Sequence, residues 1–133
     1  FAIKKIREYD LENLKIIIID ACELPEYLYG KIATIYLNFS DPWPKARHEK
    51  RRLTSPTFLI IYEEETKKPT VIEFKTDNRG LFEYSIMTFN KENYLFSELS
   101  LDLHKDKEDI ITTEYEDKFS SMGNPIYYVK VEK

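Results

Sequence analysis

A chain of 133 residues suits one domain and is long enough for a core of its own. Hydrophobic residues at 42% and charged residues at 33% exclude a disordered or fibrous class, and the apolar runs Ile16–Ile19 and Phe58–Ile61 fall short of the ~20 residues that cross a bilayer. The net charge of −4 argues against a uniformly basic nucleic-acid binder, Cys22 alone excludes an internal disulfide, and a reducing, cytoplasmic setting is expected.

Lys4, Lys5, Arg7, Glu8 and Asp10 give the N-terminus a charged character unlike a signal peptide, and Ala2, Ile3 and Ile6 share one face of an expected helix. Leu14–Ile19 is a continuous apolar run ending at Asp20, the pattern of a strand buried on both faces. The interval from Asp20 to Ile32 leaves room for a helical turn only. Ile32–Phe39 predicts a second strand, closed by Ser40-Asp41-Pro42-Trp43-Pro44, where two prolines stop any regular element. Ser55-Pro56 opens a helix, serine as N-cap and proline at the first helical position. Thr70–Thr76 predicts a third strand, Gly80–Phe89 a helix, and Leu95–Leu103 and Ile126–Val131 two late strands, an antiparallel pair at one edge. That order of elements indicates an α/β sheet with helices on both faces, one domain over 1–133.

In open α/β sheets, ligands sit beyond the carboxyl ends of the strands. Asp20, Asp41 and Asp77 each fall at such an end. Any one of them could equally cap the next helix, Asp77 above all, but three on one rim favour a site. Just after the second carboxylate, Lys45–Arg52 reads KARHEKRR, +4 in eight residues on an otherwise acidic chain. A basic patch on an acidic body attracts a polyanion at one place and repels it elsewhere.

The segment Asn38–Arg52, NFSDPWPKARHEKRR, resembles the signature of the bacterial tRNA (guanine-N7)-methyltransferase family. FKTDN at Phe74–Asn78 and TEYEDKF at Thr113–Phe119, followed by Gly123, resemble that family's later motifs in the same order. Ala46 stands where many members carry a second lysine. The resemblance implies a Rossmann-like class I methyltransferase sheet, S-adenosyl-L-methionine as methyl donor, tRNA as partner, and guanine 46 of the variable loop as target. It implies that Asp20 meets the adenine end of the donor and that Asp41 is the catalytic residue beside both donor and guanine. Lys45, Asp77, Thr113, Glu114, Tyr115 and Glu116 would contact substrate, and Arg47, His48, Glu49, Lys50, Arg51 and Arg52 would hold RNA. No metal or membrane is implied, and monomer and homodimer stay equally open.

The chemistry suits those residue types. Guanine N7 has a lone pair and no proton, so its attack on a sulfonium methyl needs no general base, and the work left is positioning and electrostatics. Trp43 offers a flat face for a base, with a core anchor as the equal alternative. Thr113-x-x-Glu116 also reads as a capping box. His104 has no Cys or His spaced to make a zinc site with it. Gly30, Gly80 and Gly123 are the only glycines, none in a G-x-G setting, so the glycine-rich turn of such a fold, and with it the N-terminal part of the domain, is expected in a further segment of ~60–90 residues. Two rival readings are amino-group methylation of a base, whose Asn/Asp-Pro-Pro-aromatic motif Pro42-Trp43-Pro44 inverts, and a non-catalytic RNA-binding subunit, which would have no use for Asp41 and Asp77.

Overall fold

The computed structural model describes residues 7–9, 11–28 and 31–133. The expected first helix lies largely outside these, residues 7–9 alone being helical. Among the described residues four strands form one sheet: β1 (Ile35–Asn38), β2 (Val71–Thr76), β3 (Leu95–Ser100) and β4 (Tyr127–Glu132), in the order β1-β2-β4-β3. β1 and β2 run parallel, with Ile35 opposite Ile72, and β4 is antiparallel to both β2 and β3. The late antiparallel pair is therefore real, but its second strand lies inside the sheet and β3 forms the edge.

Side-chain alternation sorts the two faces. On β2, Ile72, Phe74 and Thr76 point to a buried side, while Val71, Glu73 and Lys75 are half-buried on the other. Two helices cover the first side, α2 (Pro56–Glu65) and α3 (Arg79–Lys91), each an apolar stripe at helical spacing. Phe58, Leu59 and Tyr62 from α2 and Leu81, Phe82 and Phe89 from α3 pack with Leu37, Ile72, Phe74, Val129 and Val131 as the main core. Leu24 of the single turn α1 (Leu24–Tyr27) adds to it. The opposite face carries a smaller cluster, Leu103, Ile126 and Tyr128, under the short α4 (Leu103–Asp106) and the strap that follows it. Beside that strap the face opens into a cleft of about 540 Å³ lined by Tyr36, Glu73, Lys75 and Tyr128 among others. The last helix, α5 (Glu114–Ser121), follows the strap, and its Glu116 reaches His104 of α4.

Three expectations change. Leu14–Ile19 forms no strand: Ile16, Ile17 and Ile18 are 50%, 52% and 89% exposed. An apolar run becomes a strand only where a neighbour takes its backbone groups, and none among the described residues does. The strand expected from Ile32 starts at Ile35, Ile32 making only an isolated bridge to Thr66. The strand expected to reach Leu103 stops at Ser100, and Leu103 is a buried helical residue.

Candidate functional site

Beyond the carboxyl end of β1 the chain makes a tight, unusual turn. Phe39 and Trp43 have φ of 54° and 41°, left-handed values that cost a non-glycine residue about 1–3 kcal/mol each unless the surroundings hold them. The turn forms one wall of an open cleft of about 830 Å³. Asp20 and Asp41 both line it, with Phe39, Ser40, Trp43, Lys50 and Arg51. Two of the three rim carboxylates thus meet on one cavity, although the strand expected before Asp20 is absent. Asp41 is exposed and accepts no hydrogen bond from any described residue. Asp20 caps the turn Ala21–Glu23 in a full capping box. Its carboxylate accepts from the Cys22 amide at 3.0 Å, which holds its pKa below the usual carboxylate range, while a side-chain hydrogen bond to that carboxylate raises the Cys22 thiol.

Asp77 stands apart from this cleft but is tied to it. Asn78, not Asp77, caps α3, its side chain accepting from the Leu81 amide at 2.8 Å. Asp77 is left to accept from the Tyr115 hydroxyl at 3.2 Å, and desolvation, then the Asp77 charge, raises the pKa of that phenol. The Tyr115 ring stacks on Phe119 at 4.2 Å and leans on Phe39 at 4.8 Å. One aromatic row therefore runs from the cleft wall to Asp77, bringing the second and third motifs together. Phe39 and Ser40, whose buried hydroxyl has no partner among the described residues, gave no sequence signal beyond their neighbourhood of Asp41.

The basic run is a 3-10 helix, Ala46–Arg51, closed by Arg52. At three residues per turn, positions i and i+3 eclipse, so the run has three distinct faces. Arg47 and Lys50 share an exposed face, and Lys45 precedes it, also exposed. His48 and Arg51 share a second face on Trp43: the imidazole meets the indole edge-on at 5.5 Å and the guanidinium lies 5.0 Å from the ring. Trp43 is therefore a half-buried cleft wall and not a core anchor. Glu49 and Arg52 share the third face, toward Tyr84. Glu49 accepts from the Tyr84 hydroxyl at 3.0 Å, while Arg52 lies 4.4 Å over the Tyr84 ring and donates to the Pro42 and Trp43 carbonyls. These contacts tie up two residues expected to hold RNA.

A similar correction applies to the expected substrate contacts Thr113–Glu116. Thr113 and Glu116 form the capping box of α5, the hydroxyl accepting from the Glu116 amide at 3.1 Å. Glu116 is fully buried, and its carboxylate accepts from Lys75 at 3.1 Å and His104 at 2.9 Å. It is closed to a ligand. His104, set aside in the sequence, is its partner. Tyr115 and Glu114 stay on the exposed side, and Thr113 borders the cleft on the opposite face of the sheet. Among the described residues no His, Cys, Asp and Glu cluster could hold a metal ion, and no helix is long and apolar enough to cross a membrane.

An open α/β sheet, a carboxylate-lined cleft beyond its parallel strands and a basic helix on the rim together define the methyltransferase class of fold. The same architecture is found in the crystal structure of a "putative methyltransferase" from Streptococcus mutans in complex with SAH, with a TM-score of 0.60 over 98% of this chain and 66% of that one. At 14% identity that likeness is one of fold. The family model described as "Putative methyltransferase" matches residues 1–129, and the chain belongs to that family. It is similar to proteins named tRNA (guanine-N(7)-)-methyltransferase, at 55% identity in Listeria welshimeri and 51% in Bacillus subtilis, over 98% of this chain. The chain spans 62% of the length of each.

Proposed function

We propose that the chain is the catalytic, RNA-facing part of a tRNA (guanine-N7)-methyltransferase domain, with S-adenosyl-L-methionine as methyl donor and a guanine of tRNA as acceptor. The observation that carries this reading is the cleft that Asp20, Asp41, Lys50 and Arg51 line together, on a chain half identical to relatives of that name. The donor set fits a sulfonium nucleoside: carboxylates suit ribose hydroxyls and an adjacent cation, and the Phe39 and Ile19 side chains supply apolar walls. When bound, S-adenosyl-L-methionine supplies an electrophilic methyl group.

The chain's own residues then position the acceptor. Asp41, exposed on the cleft, can accept from the N1–H and N2–H₂ edge of guanine and favour the positive charge that grows on the imidazole ring as N7 is alkylated. Trp43 walls the base, and Arg51 over its face draws the phosphate backbone toward it. Arg47, Lys50 and Lys45 extend the cationic track outward. Cytoplasmic tRNA is the expected partner.

The test is methylation of an unmodified tRNA transcript by the full-length protein with labelled donor, followed by nucleoside mass spectrometry and chain scission at 7-methylguanosine. The expected result is 7-methylguanosine at one variable-loop position. Label on an exocyclic amine, or tRNA binding with no methyl transfer, overturns the reading.

A further inference from the structure

The cluster around Arg52 has a function that its place in a basic run hides. Its guanidinium donates from Nε to the Pro42 carbonyl at 3.1 Å, and from Nη2 to the Trp43 carbonyl at 2.9 Å. Nε also lies 3.1 Å from the Trp43 carbonyl. Its flat face is filled by Tyr84 at 4.4 Å, and Tyr84 is fixed in turn by Glu49 at 3.0 Å. The residues after Arg52 are nailed to the core: Leu53 offers its carbonyl to the buried Tyr62 hydroxyl at 2.9 Å, and Thr54 bonds Ser85 at 2.7 Å within the core. Arg52 thus joins a rigid base to the one turn that carries two left-handed aromatic residues with Asp41 between them.

We propose that Arg52 is a positioning residue: it clamps the Asp41-Pro42-Trp43 turn and thereby aims the Asp41 carboxylate into the cleft, while RNA phosphates are met by its neighbours. The inference rests on the proposed methyl transfer for its kinetic readout, and on the turn geometry alone for its spectroscopic one. A planar fork is what the arrangement uses. Two carbonyls and one aromatic face are engaged together, which an ammonium cannot reproduce. A phosphate, in contrast, is served by lysine nearly as well as by arginine at a single contact.

That difference makes Arg52→Lys the decisive variant, with Arg52→Ala and Tyr84→Leu beside it, in the full-length protein. Single-turnover methylation at saturating tRNA and donor should fall at least tenfold in Arg52→Ala and nearly as far in Arg52→Lys and Tyr84→Leu. The slope of log affinity for tRNA against log salt should stay at the wild-type value in Arg52→Ala. Trp43, the single tryptophan of these 133 residues, reports on the turn without any activity once any tryptophan outside them is replaced by phenylalanine, and acrylamide should quench it more readily in all three variants. Thermal melting run in parallel separates loosening of the turn from unfolding. The proposal is overturned if Arg52→Lys restores the wild-type rate, if Arg52→Ala lowers the salt slope by the roughly 0.7–0.9 of one lost phosphate contact, or if Trp43 quenching is unchanged. A wild-type protein that makes no 7-methylguanosine refutes the proposed function instead, and the quenching comparison still decides the clamp.

Discussion

Removing the Glu116 carboxylate should cost stability before it costs chemistry. Glu116 is fully buried, and both of its oxygens are in use: Oε1 faces His104 at 2.9 Å, Oε2 faces Lys75 at 3.1 Å and lies 3.4 Å from the Thr113 amide. Glu116→Ala therefore strands an ammonium and an imidazole and removes half of a capping box. Breaking a buried pair from one side costs about 3–5 kcal/mol, while the Thr113 hydroxyl still caps the amide of residue 116. Lys75 keeps the Ile111 carbonyl at 3.0 Å and borders an open cleft that admits water, so the lower end applies, about 3 kcal/mol in total. For a domain of this size that lowers the melting temperature by roughly 10 °C. The assay is thermal unfolding of wild type, Glu116→Ala, and a Glu116→Leu/Lys75→Met pair. The pair removes both charges, and should recover most of the loss, since a buried pair is worth little against well-packed apolar groups. A Glu116→Ala protein that melts within about 1 °C of wild type yet methylates poorly would refute this reasoning and return Glu116 to the substrate.

Asp41→Asn keeps size and turn geometry but loses charge, so single-turnover methylation should drop by ~10²–10³ with an unchanged melting temperature; a rate within a few-fold of wild type makes Asp41 a turn residue only. Charge reversal at Lys50 or Arg51 should weaken tRNA binding and reduce the salt slope by roughly 0.7–0.9 per lost contact, with donor affinity held; equal loss of both affinities counts against a phosphate track. Asp20, whose carboxylate is stabilised by the Cys22 amide, has a folded pKa below its unfolded one. Its contribution is therefore complete above the unfolded value and lost as pH falls through the folded value, below about pH 4. Chemical shifts of the Cys22 amide should follow that titration, and in Asp20→Asn the acid-side change should vanish while the cap persists.

What could be read in the residues was local. Alternation in Thr70–Thr76, the Ser55-Pro56 start and the stripe of α3 each state their own geometry, and the Asp41 to Arg52 stretch announced a site through density of charge and proline. What could not be read depended on distant partners. Leu14–Ile19 has the pattern of a buried strand and forms none, because pairing is supplied by other segments. Asp77 was the expected rival cap of α3, yet Asn78 takes that task and Asp77 is left to the Tyr115 hydroxyl. Glu116 was expected as a substrate contact or as the acid of a capping box. Lys75 and His104, 41 and 12 residues away in the chain, decide that it is buried.

The basic run shows why a motif fixes less than its composition suggests. Had KARHEKRR formed an α-helix, neighbours three and four apart would have blended into one broad charged surface. A 3-10 helix instead eclipses every third residue, and the eight letters divide by position into tasks that charge alone does not distinguish. Arg47 and Lys50 face solvent, His48 and Arg51 dress the Trp43 wall, and Glu49 and Arg52 lock the whole segment to Tyr84. The lone acid at position 49 is then no flaw in an RNA-binding surface, for its carboxylate is engaged by the Tyr84 hydroxyl. A mutational scan of the run should reproduce this period of three. Positions 47 and 50 should move the salt dependence of tRNA binding, and positions 49 and 52 should move turnover and Trp43 quenching instead. A scan in which effect follows charge alone, regardless of position, would mean that the 3-10 helix does not persist when RNA is bound.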